Sequence, residues 1–196
     1  ISTRVIFSNA QINDWLNEAQ AIAADRSWCV ITSSAFDLTS GSTYYSLPTA
    51  FRAVYRVTRD FLEIKEMSLR ALDGKSGSWE SSSGLPLYYF IDFSRRGNIG
   101  FAPFPNDTSS TGTIRMSYYS DVSDMSSDTD QPFGSIAELY GYHHALPYYA
   151  AHKMALIDGR KTVADQMYGF FELILKTMEE KCQARPAYLP SAIGRQ

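Results

Sequence analysis

The chain of 196 residues is predicted to fold as an α+β protein, because helical patterns occupy both of its ends and strand patterns occupy its middle. Apolar residues recur every three or four positions near the N-terminus and again after residue 135, as on one face of an amphipathic helix. Between about residues 28 and 120 they recur at every second position, which is typical of strands. The prediction is a bundle of N-terminal and C-terminal helices, an inserted antiparallel β region, and an extended C-terminal tail.

The first helix is predicted over residues 8–25. Ser8 and Gln11 have the spacing of a capping box, and Phe7 and Ile12 occupy the two staple positions around it. One stripe of apolar side chains follows, made of Ile12, Trp15, Leu16, Ala19, Ile22 and Ala23. This stripe predicts that the helix buries one face against other helices.

The β region is predicted to contain half-buried antiparallel strands. Apolar residues alternate with polar ones at Phe51, Ala53, Tyr55 and Val57, at Leu62 and Ile64, and at Ile114, Met116 and Tyr118. A hairpin is expected between residues 88–93 and 99–104, because Gly97 suits a tight reversal. The strand at Ile114 is predicted to join this hairpin in a three-stranded meander. Residues 66–73 are expected to form a short helix, and residues 74–84 a loop of low order.

The C-terminal part begins with an exposed connection, rich in Asp and Ser, at residues 121–132. A helix is predicted over 135–158, where Ser135 and Glu138 repeat the capping-box spacing, with a bend or break near His143 caused by Pro147. The last helix is predicted over 161–184, with one apolar side formed by Val163, Met167, Phe170, Phe171, Ile174 and Met178. Residues 1–184 are therefore expected to form one domain with two lobes, followed by the tail at 185–196.

Composition excludes several classes of function. A formal net charge of −3 argues against a dedicated nucleic-acid-binding protein, because affinity for phosphates needs a concentrated positive field. The sequence has no run of about 18 apolar residues, so no membrane association is expected. The two cysteines, Cys29 and Cys182, are expected to be free thiols in a reducing cytoplasm. Aromatic residues make up 14% of the chain, including 13 Tyr, which suits half-exposed strands and subunit interfaces.

Four motifs contain residue types that could carry chemistry, and each favours a structural interpretation. Residues 73–76 contain the GKS triplet of a phosphate-binding loop but lack its upstream Gly and preceding strand. His143, His144 and His152 have no i,i+4 spacing for a metal pair, and no nucleophile motif accompanies them. The spacing of the four Asp in 121–130 does not match a calcium loop. The arginines at 52, 56, 59, 95 and 96 are too few for a nucleic-acid patch, so we expect no catalytic residue, no cofactor and no metal.

Several segments, in their order along the chain, resemble the head-to-tail adaptor (connector) family of tailed bacteriophages. They are WLNEAQ at 15–20, TYYSLPTAFR at 43–52, GLPLYYF at 84–90, IGFAPFP at 99–105, DTDQP at 128–132 and HALPYYA at 144–150. Their order and spacing carry the resemblance, since a Tyr-x-Leu-Pro turn alone is common. Pro147, inside the segment at 144–150, is a departure from the family pattern, because a proline there bends or breaks a helix.

The resemblance implies a structural role in the virion, with no enzymatic activity. It implies a ring of twelve copies that docks beneath the portal protein, contacts the tail or a tail-completion protein, and forms part of the DNA channel. DNA would pass through without specific binding. The expected locations are the head-to-tail junction of the virion and, during assembly, the host cytoplasm. The alternatives are another virion assembly protein (a tail-completion or baseplate subunit), a hydrolase acting on polymers, and a nucleic-acid binder.

Two sets of contact residues follow from this interpretation. The tail is expected to bind the portal or a neighbouring subunit through Arg185, Pro186, Tyr188, Leu189, Pro190 and Ile193, because it has few local reasons to fold alone. Lateral contacts within the ring are expected from Tyr44, Tyr45, Tyr88, Tyr118, Arg95 and Arg96.

Overall fold

The computed structural model describes residues 7–75, 77–92, 97–106, 112–127 and 129–183. The chain is a mixture of helix and sheet, as predicted. Its described residues divide into two compact units. The helical unit contains residues 7–30 and 121–183, and the strand unit contains residues 31–120.

The described α-helices are α1 (Asn9–Ser27), α2 (Leu69–Lys75), α3 (Ala145–Ile157) and α4 (Lys161–Gln183). The capping box that begins α1 is confirmed. The Gln11 backbone N–H donates to Ser8 Oγ at 3.2 Å, and the Ser8 backbone N–H donates to Gln11 Oε1 at 3.0 Å. The helix ends at Trp28, whose left-handed backbone (φ 53°) breaks the helical hydrogen-bond pattern.

The helical unit has one core, to which α1, α3 and α4 all contribute. Its fully buried members include Ala19, Ala23, Phe133, Leu139, Leu146, Phe171, Leu175 and Met178. Small alanines on α1 let the larger rings and chains of the other elements pack closely against it. The apolar side predicted for α4 is partly wrong. Phe171 and Met178 are buried as predicted, but Val163 and Phe170 are 37% and 49% exposed.

The helix predicted over 135–158 is also partly wrong. The segment starts with short 3₁₀ turns at Pro132–Ser135 and Ala137–Tyr142, and the α-helix begins only at Ala145. Ser135 has φ 62°, and the N-cap position of the turn Ala137–Tyr142 is Ile136, so the capping-box spacing was misleading here. The predicted break near His143 is present, and it places Pro147 in the first turn of α3, where a missing N–H is tolerated.

The strand unit contains two four-stranded sheets. Its strands are β1 (Ile31–Leu38), β2 (Tyr44–Ser46), β3 (Phe51–Arg59), β4 (Leu62–Glu63), β5 (Lys65–Glu66), β6 (Tyr88–Ile91), β7 (Asn98–Ala102) and β8 (Gly112–Ser120). The first sheet has the order β1-β8-β3-β4, and the second has the order β2-β7-β6-β5. All pairs are antiparallel as predicted except β5 with β6, which is parallel.

The predicted pairing of β6 with β7 is confirmed, with Tyr88 opposite Ala102. The predicted meander is wrong, because β8 lies between β1 and β3 in the other sheet. The face of β8 is nevertheless as expected, since Ile114, Met116 and Tyr118 are all buried. These residues share a core with Phe101 of β7, so the two sheets pack face to face.

Three other details of the strand unit differ from expectation. Two register shifts interrupt β3, so its simple alternation from Phe51 to Val57 does not hold. Ile64 is buried as predicted, but Leu62 is 74% exposed. The loop expected to have low order contains a 3₁₀ turn, Trp79–Ser81, in which Trp79 is buried and donates its indole N–H to Asp73 at 2.7 Å.

The expectation of two free thiols is wrong, because Cys29 and Cys182 form a disulfide. Cys29 follows the end of α1, and Cys182 lies in the last turn of α4. Their Cα atoms are 5.5 Å apart, which is within the range for disulfides. The sequence did not predict this disulfide, because the two cysteines are 153 positions apart and are brought together only by the packing of the helical unit.

The connection after residue 120 is mostly exposed, as predicted, but it is held by polar side chains of α1. Gln20, which is 1% exposed, donates to the Ser123 carbonyl at 2.9 Å and accepts from the Phe133 N–H at 2.7 Å. Asn17 makes two hydrogen bonds to the backbone of Met125, at 2.8 and 3.2 Å. The connection is therefore fixed to the helical unit at three points.

Candidate assembly surfaces

Eight of the twelve predicted contact residues lie outside the described residues. This is the case for the tail residues Arg185, Pro186, Tyr188, Leu189, Pro190 and Ile193, and for Arg95 and Arg96. The four predicted interface tyrosines, in contrast, are all within the strand unit.

Tyr45 and Tyr118 pack inside the strand unit. The Tyr45 ring contacts Phe101 with ring centroids 5.5 Å apart, and its hydroxyl accepts from the Thr39 N–H at 3.0 Å. Tyr118 is 6% exposed and its ring centroid lies 5.8 Å from that of Phe51. In the single chain these two rings therefore stabilise the fold, and their part in an interface stays a prediction.

Tyr44 and Tyr88 are half-buried on the second sheet. Tyr44 meets the edge of the Phe90 ring, with centroids 5.8 Å apart, and the Tyr88 hydroxyl contacts the Lys75 ammonium. Neighbouring Tyr89 is buried, and burial together with Glu66 raises the pKa of its hydroxyl. The exposed parts of Tyr44 and Tyr88 remain accessible to a partner.

A more exposed apolar surface lies at the turn between β3 and β4, which we call the hairpin tip (residues 60–62). Arg59 pairs with Leu62, so the turn has two central residues, Asp60 and Phe61, with φ of 47° and 68°. Positive φ at both positions is the geometry of a type I′ turn, which favours Asn and Gly. Phe61 is 98% exposed. The tip thus presents a phenyl ring to solvent on a backbone position that suits glycine.

A second apolar surface lies along α4 in the helical unit. An open groove with a volume of about 600 Å³ is lined by residues of the 3₁₀ turn Ala137–Tyr142 and of α4, and we call it the α4 groove. Leu173 and Ile174 form its apolar side, and Tyr142 and Lys181 line it as well. Leu173 is 63% exposed, so this side is open to solvent.

The sequence did not indicate either surface. Phe61 and Leu62 sit in a run of alternating residues without Gly or Asn, so nothing marks the turn. On a helical wheel Leu173 lies nearly opposite the buried residues Phe171 and Leu175, outside the apolar side predicted for α4. A leucine on the otherwise polar side of this helix was the available signal for a second contact.

The family model of the SU10 adaptor protein matches residues 3–193 of the chain, which is nearly its whole length. The chain belongs to the SU10 adaptor protein family. This is a phage head-to-tail adaptor family, so the resemblance inferred from the sequence is confirmed. A comparison with curated proteins found no match.

In the helical unit, ion pairs of Arg26 and of Lys153 join neighbouring helices. Arg26 of α1 binds Glu172 and Glu179 of α4 at 2.8 and 3.0 Å, and the hydrogen bond with Glu172 raises the pKa of the guanidinium. Burial alone would raise the pKa of Glu18, but hydrogen bonds from Tyr149 and Lys153 outweigh it and lower that pKa. These pairs are partly exposed and each stabilises the adaptor by at most about 1 kcal/mol.

Structural contacts within the helical unit account for His143, His152 and Asp130. His152 Nδ1 lies 2.9 Å from the Ala164 carbonyl, while the His143 ring packs between Phe133 and Tyr140. Asp130 accepts from the backbone N–H groups of Ser126 and Ser127, which lower its pKa. Among the residues that the structure describes, no three His, Cys, Asp or Glu side chains form a potential metal site.

The GKS triplet of the adaptor does not lie in a phosphate-binding loop. Asp73 and Lys75 belong to the end of α2, where a phosphate loop would precede a helix. Both side chains have partners in the strand unit, Trp79 and Tyr88 respectively. None of the helices in the described ranges is both long and apolar enough to cross a membrane.

Proposed function

We propose that this chain is a ring-forming subunit of the phage head-to-tail junction, which docks beneath the portal and connects the capsid vertex to the tail. The observation that carries the proposal is the family match over residues 3–193. Membership in a family of head-to-tail adaptors supports association with portal and tail components. The proposed ring has twelve copies, to match the portal vertex, and the virion is its proposed location.

The charge of the chain suits a subunit that forms part of a DNA channel. Each phosphate that a protein neutralises adds salt-dependent affinity, which would slow the passage of the genome. The chain has a net charge of −3, and its paired cations Arg26 and Lys153 are held by carboxylates in the helical unit. We therefore expect DNA to pass without specific binding.

The C-terminal tail is the proposed portal-binding element. Its Pro186, Tyr188, Leu189 and Ile193 can lie on an apolar surface, and Arg185 can pair with a carboxylate there. Tyr44, Tyr45, Tyr88, Tyr118, Arg95 and Arg96 remain the proposed lateral contacts, with the exposed parts of Tyr44 and Tyr88 best suited to the role.

Deletion of residues 185–196 tests the role of the tail. The truncated chain should lose docking onto purified portal rings, measured by co-sedimentation, while its circular dichroism stays that of the full chain. A Ser191→Ala variant of the full chain is the matched control and should dock normally. Docking of the truncated chain at full strength would refute the proposed role of the tail.

Electron microscopy of the particle tests the position of the subunit. The proposal expects density of this chain as a ring between the portal and the tail in isolated phage particles. Density below the tail tube would instead indicate a baseplate subunit. Occupancy only at the tail end of the junction would indicate a tail-completion protein.

A further inference from the structure

Strand β1 (Ile31–Leu38) forms an open edge of the first sheet. The order of that sheet is β1-β8-β3-β4, so β1 has a neighbour on one side only. Among the described residues, β1 pairs with no strand other than β8. In an antiparallel sheet, the N–H and C=O groups of alternate residues point away from the paired strand. This edge can therefore exchange backbone hydrogen bonds with a further strand.

The β1 edge lacks the features that usually prevent such pairing. Bulges, prolines and lysines commonly block an exposed edge. The eight residues of β1 include no Pro, Gly, Lys or Arg, and Asp37 is their single charge. All eight pair with β8 in one register, whereas two register shifts interrupt β3. Four of the eight are exposed, namely Thr32, Ser33, Ala35 and Asp37.

Residues 1–6 have the composition of a strand that could pair with this edge. Their sequence, ISTRVI, contains no Gly or Pro and has four β-branched residues, Ile1, Thr3, Val5 and Ile6. At about 3.3 Å per residue, six residues span about 20 Å, and the eight residues of β1 span about 26 Å. The C-terminal tail suits the edge less well, because Pro186 and Pro190 have no N–H to donate.

The alternation within residues 1–6 also matches the two faces of β1. Phe36 belongs to the core shared by the two sheets, and its neighbour Ala35 is on the exposed face. An added strand with its three odd-numbered residues on the core side would place Ser2 and Arg4 on the solvent side. This is the pattern of a half-buried strand at the edge of a sheet.

Residues 1–6 join the described structure at an exposed helix end. The Phe7 ring meets the edge of the Trp15 ring, with centroids 5.5 Å apart, and the capping box fixes Ser8. Residues 8–11 are all exposed. The six residues are therefore attached at a point that a neighbouring molecule can reach.

We propose that residues 1–6 of one copy add a strand to the β1 edge of a second copy. The proposal rests on the proposed ring and names a contact between its neighbours. The donated segment and the accepting edge are different parts of one chain, so the contact is head-to-tail. Contacts of this type close into a ring when the rotation between copies allows it.

A synthetic peptide of residues 1–7 tests the pairing directly. Amide hydrogen exchange of β1 is followed by NMR in a chain that lacks residues 1–6, with and without the peptide. At saturation, the peptide should slow the exchange of the β1 amides that point away from β8 by at least about tenfold. Protection of other amides alone, or of none, would overturn the proposal.

Two altered peptides are the controls. Adjacent residues of a strand point their N–H groups to opposite sides, so a peptide with Arg4→Pro and Val5→Pro loses a donor in either register. This peptide should give no protection. A peptide with Arg4→Thr and Val5→Thr keeps both donors and should protect β1. Equal protection by the proline peptide would contradict strand pairing.

Variants of the full chain test whether the partner is a second copy. Ser33→Lys with Ala35→Lys places two charges on the exposed edge, and Arg4→Pro with Val5→Pro blocks the donated segment. Each double variant should form rings on purified portal at least about tenfold more weakly than the wild type. Their mixture retains one donor and one edge and should form dimers in sedimentation velocity.

Controls for these variants separate pairing from folding. Ser33→Thr with Ala35→Thr leaves the edge uncharged and should assemble as the wild type does. Because residues 33 and 35 are exposed, the lysine variant should keep the unfolding midpoint of the wild type, and urea titration checks this.

The outcomes distinguish the contact from the ring itself. Protection of β1 in the full chain at every concentration would show pairing within one chain and would overturn the contact between copies. Rings that form equally well with either double variant would also overturn the contact and leave the proposed function in place. A wild-type chain that forms no ring on portal, although the peptide protects β1, would overturn the proposed function and support strand addition at this edge.

Discussion

Phe61 occupies a backbone position at which glycine is more stable. The left-handed conformation costs a residue with a Cβ atom about 1–2 kcal/mol, whereas glycine adopts it freely. After the entropy that glycine loses on folding, Phe61→Gly should raise the free energy of unfolding by about 0.5–1 kcal/mol. Urea unfolding monitored by circular dichroism measures the change.

Phe61→Ala is the control for this prediction, because it removes the ring and keeps the Cβ atom in the strained conformation. Its stability should stay near that of the wild type. A glycine variant that is no more stable than the alanine variant would show that the turn carries no backbone strain. A stabilised variant that assembles poorly would mean that Phe61 is kept for assembly at a cost in stability.

His143 should make the stability of the chain depend on pH below neutrality. Burial lowers the pKa of its imidazole from the ordinary 6.5, and its ring contacts Phe133 and Tyr140. The unfolded chain therefore takes up a proton at a higher pH than the folded chain does. The contribution of His143 to the free energy of unfolding should be complete above pH 6.5, and it should decrease as the pH falls from 6.5 towards the lowered pKa.

Urea titrations at pH 7.5, 6.5 and 5.5 check this prediction. His143→Gln should flatten the dependence in that range. His144→Gln changes an exposed neighbour and should leave the dependence as it is in the wild type. Glu18 and Glu172, whose carboxyl pKa values are lowered, become protonated and change the stability only in more acidic solution. An unchanged slope in His143→Gln would contradict the prediction.

Helix α1 fixes the connection that follows the strand unit, and Gln20 is its main contact. The buried amide makes hydrogen bonds to Ser123 and Phe133. Gln20→Ala would leave the buried N–H of Phe133 and the carbonyl of Ser123 without their partner, which should destabilise the chain by about 1–3 kcal/mol. Gln166→Ala on the exposed side of α4 is the control and should change stability by less than about 0.5 kcal/mol.

Chemical denaturation of both variants at pH 7.5 measures this difference. Equal stability of Gln20→Ala and Gln166→Ala would show that water replaces the lost partners. Proteolysis adds a local measurement, because a released connection at residues 121–127 should be cut faster in Gln20→Ala than in the wild type.

Elements were predictable from the sequence where local chemistry decides them. The start of α1 follows from Ser8 and Gln11, which bond each other across three residues. The same spacing at Ser135 and Glu138 does not start an α-helix, because the backbone at Ser135 has a positive φ. Local spacing therefore predicts a helix start only when the surrounding chain is free to follow it.

Strand pairing was predictable only between neighbours in the sequence. β6 and β7 are consecutive strands separated by few residues in the sequence, so their pairing follows from the pattern. β8 pairs with β1 and β3, and these contacts depend on how two sheets share a core. For the same reason the candidate surfaces were missed, because the exposure of Phe61 and Leu173 is decided by packing elsewhere in their units.

At the scale of the whole chain, the Cys29–Cys182 disulfide closes a loop that contains almost all of the sequence. The two residues are 153 positions apart, so the covalent loop includes the entire strand unit and joins the ends of α1 and α4. Cross-links of long loops restrict the unfolded chain, and their removal typically costs about 2–4 kcal/mol. Reduction should therefore lower the unfolding midpoint of the wild type.

Urea titrations with and without dithiothreitol measure this effect. A Cys29→Ser, Cys182→Ser double variant is the control, because its stability should equal that of the reduced wild type and should not respond to reductant. A thiol reagent should detect no free thiol in the folded, oxidised wild type. Two reactive thiols in that sample would contradict the disulfide. A residual response of the double variant would instead show that reductant acts on the chain by another route.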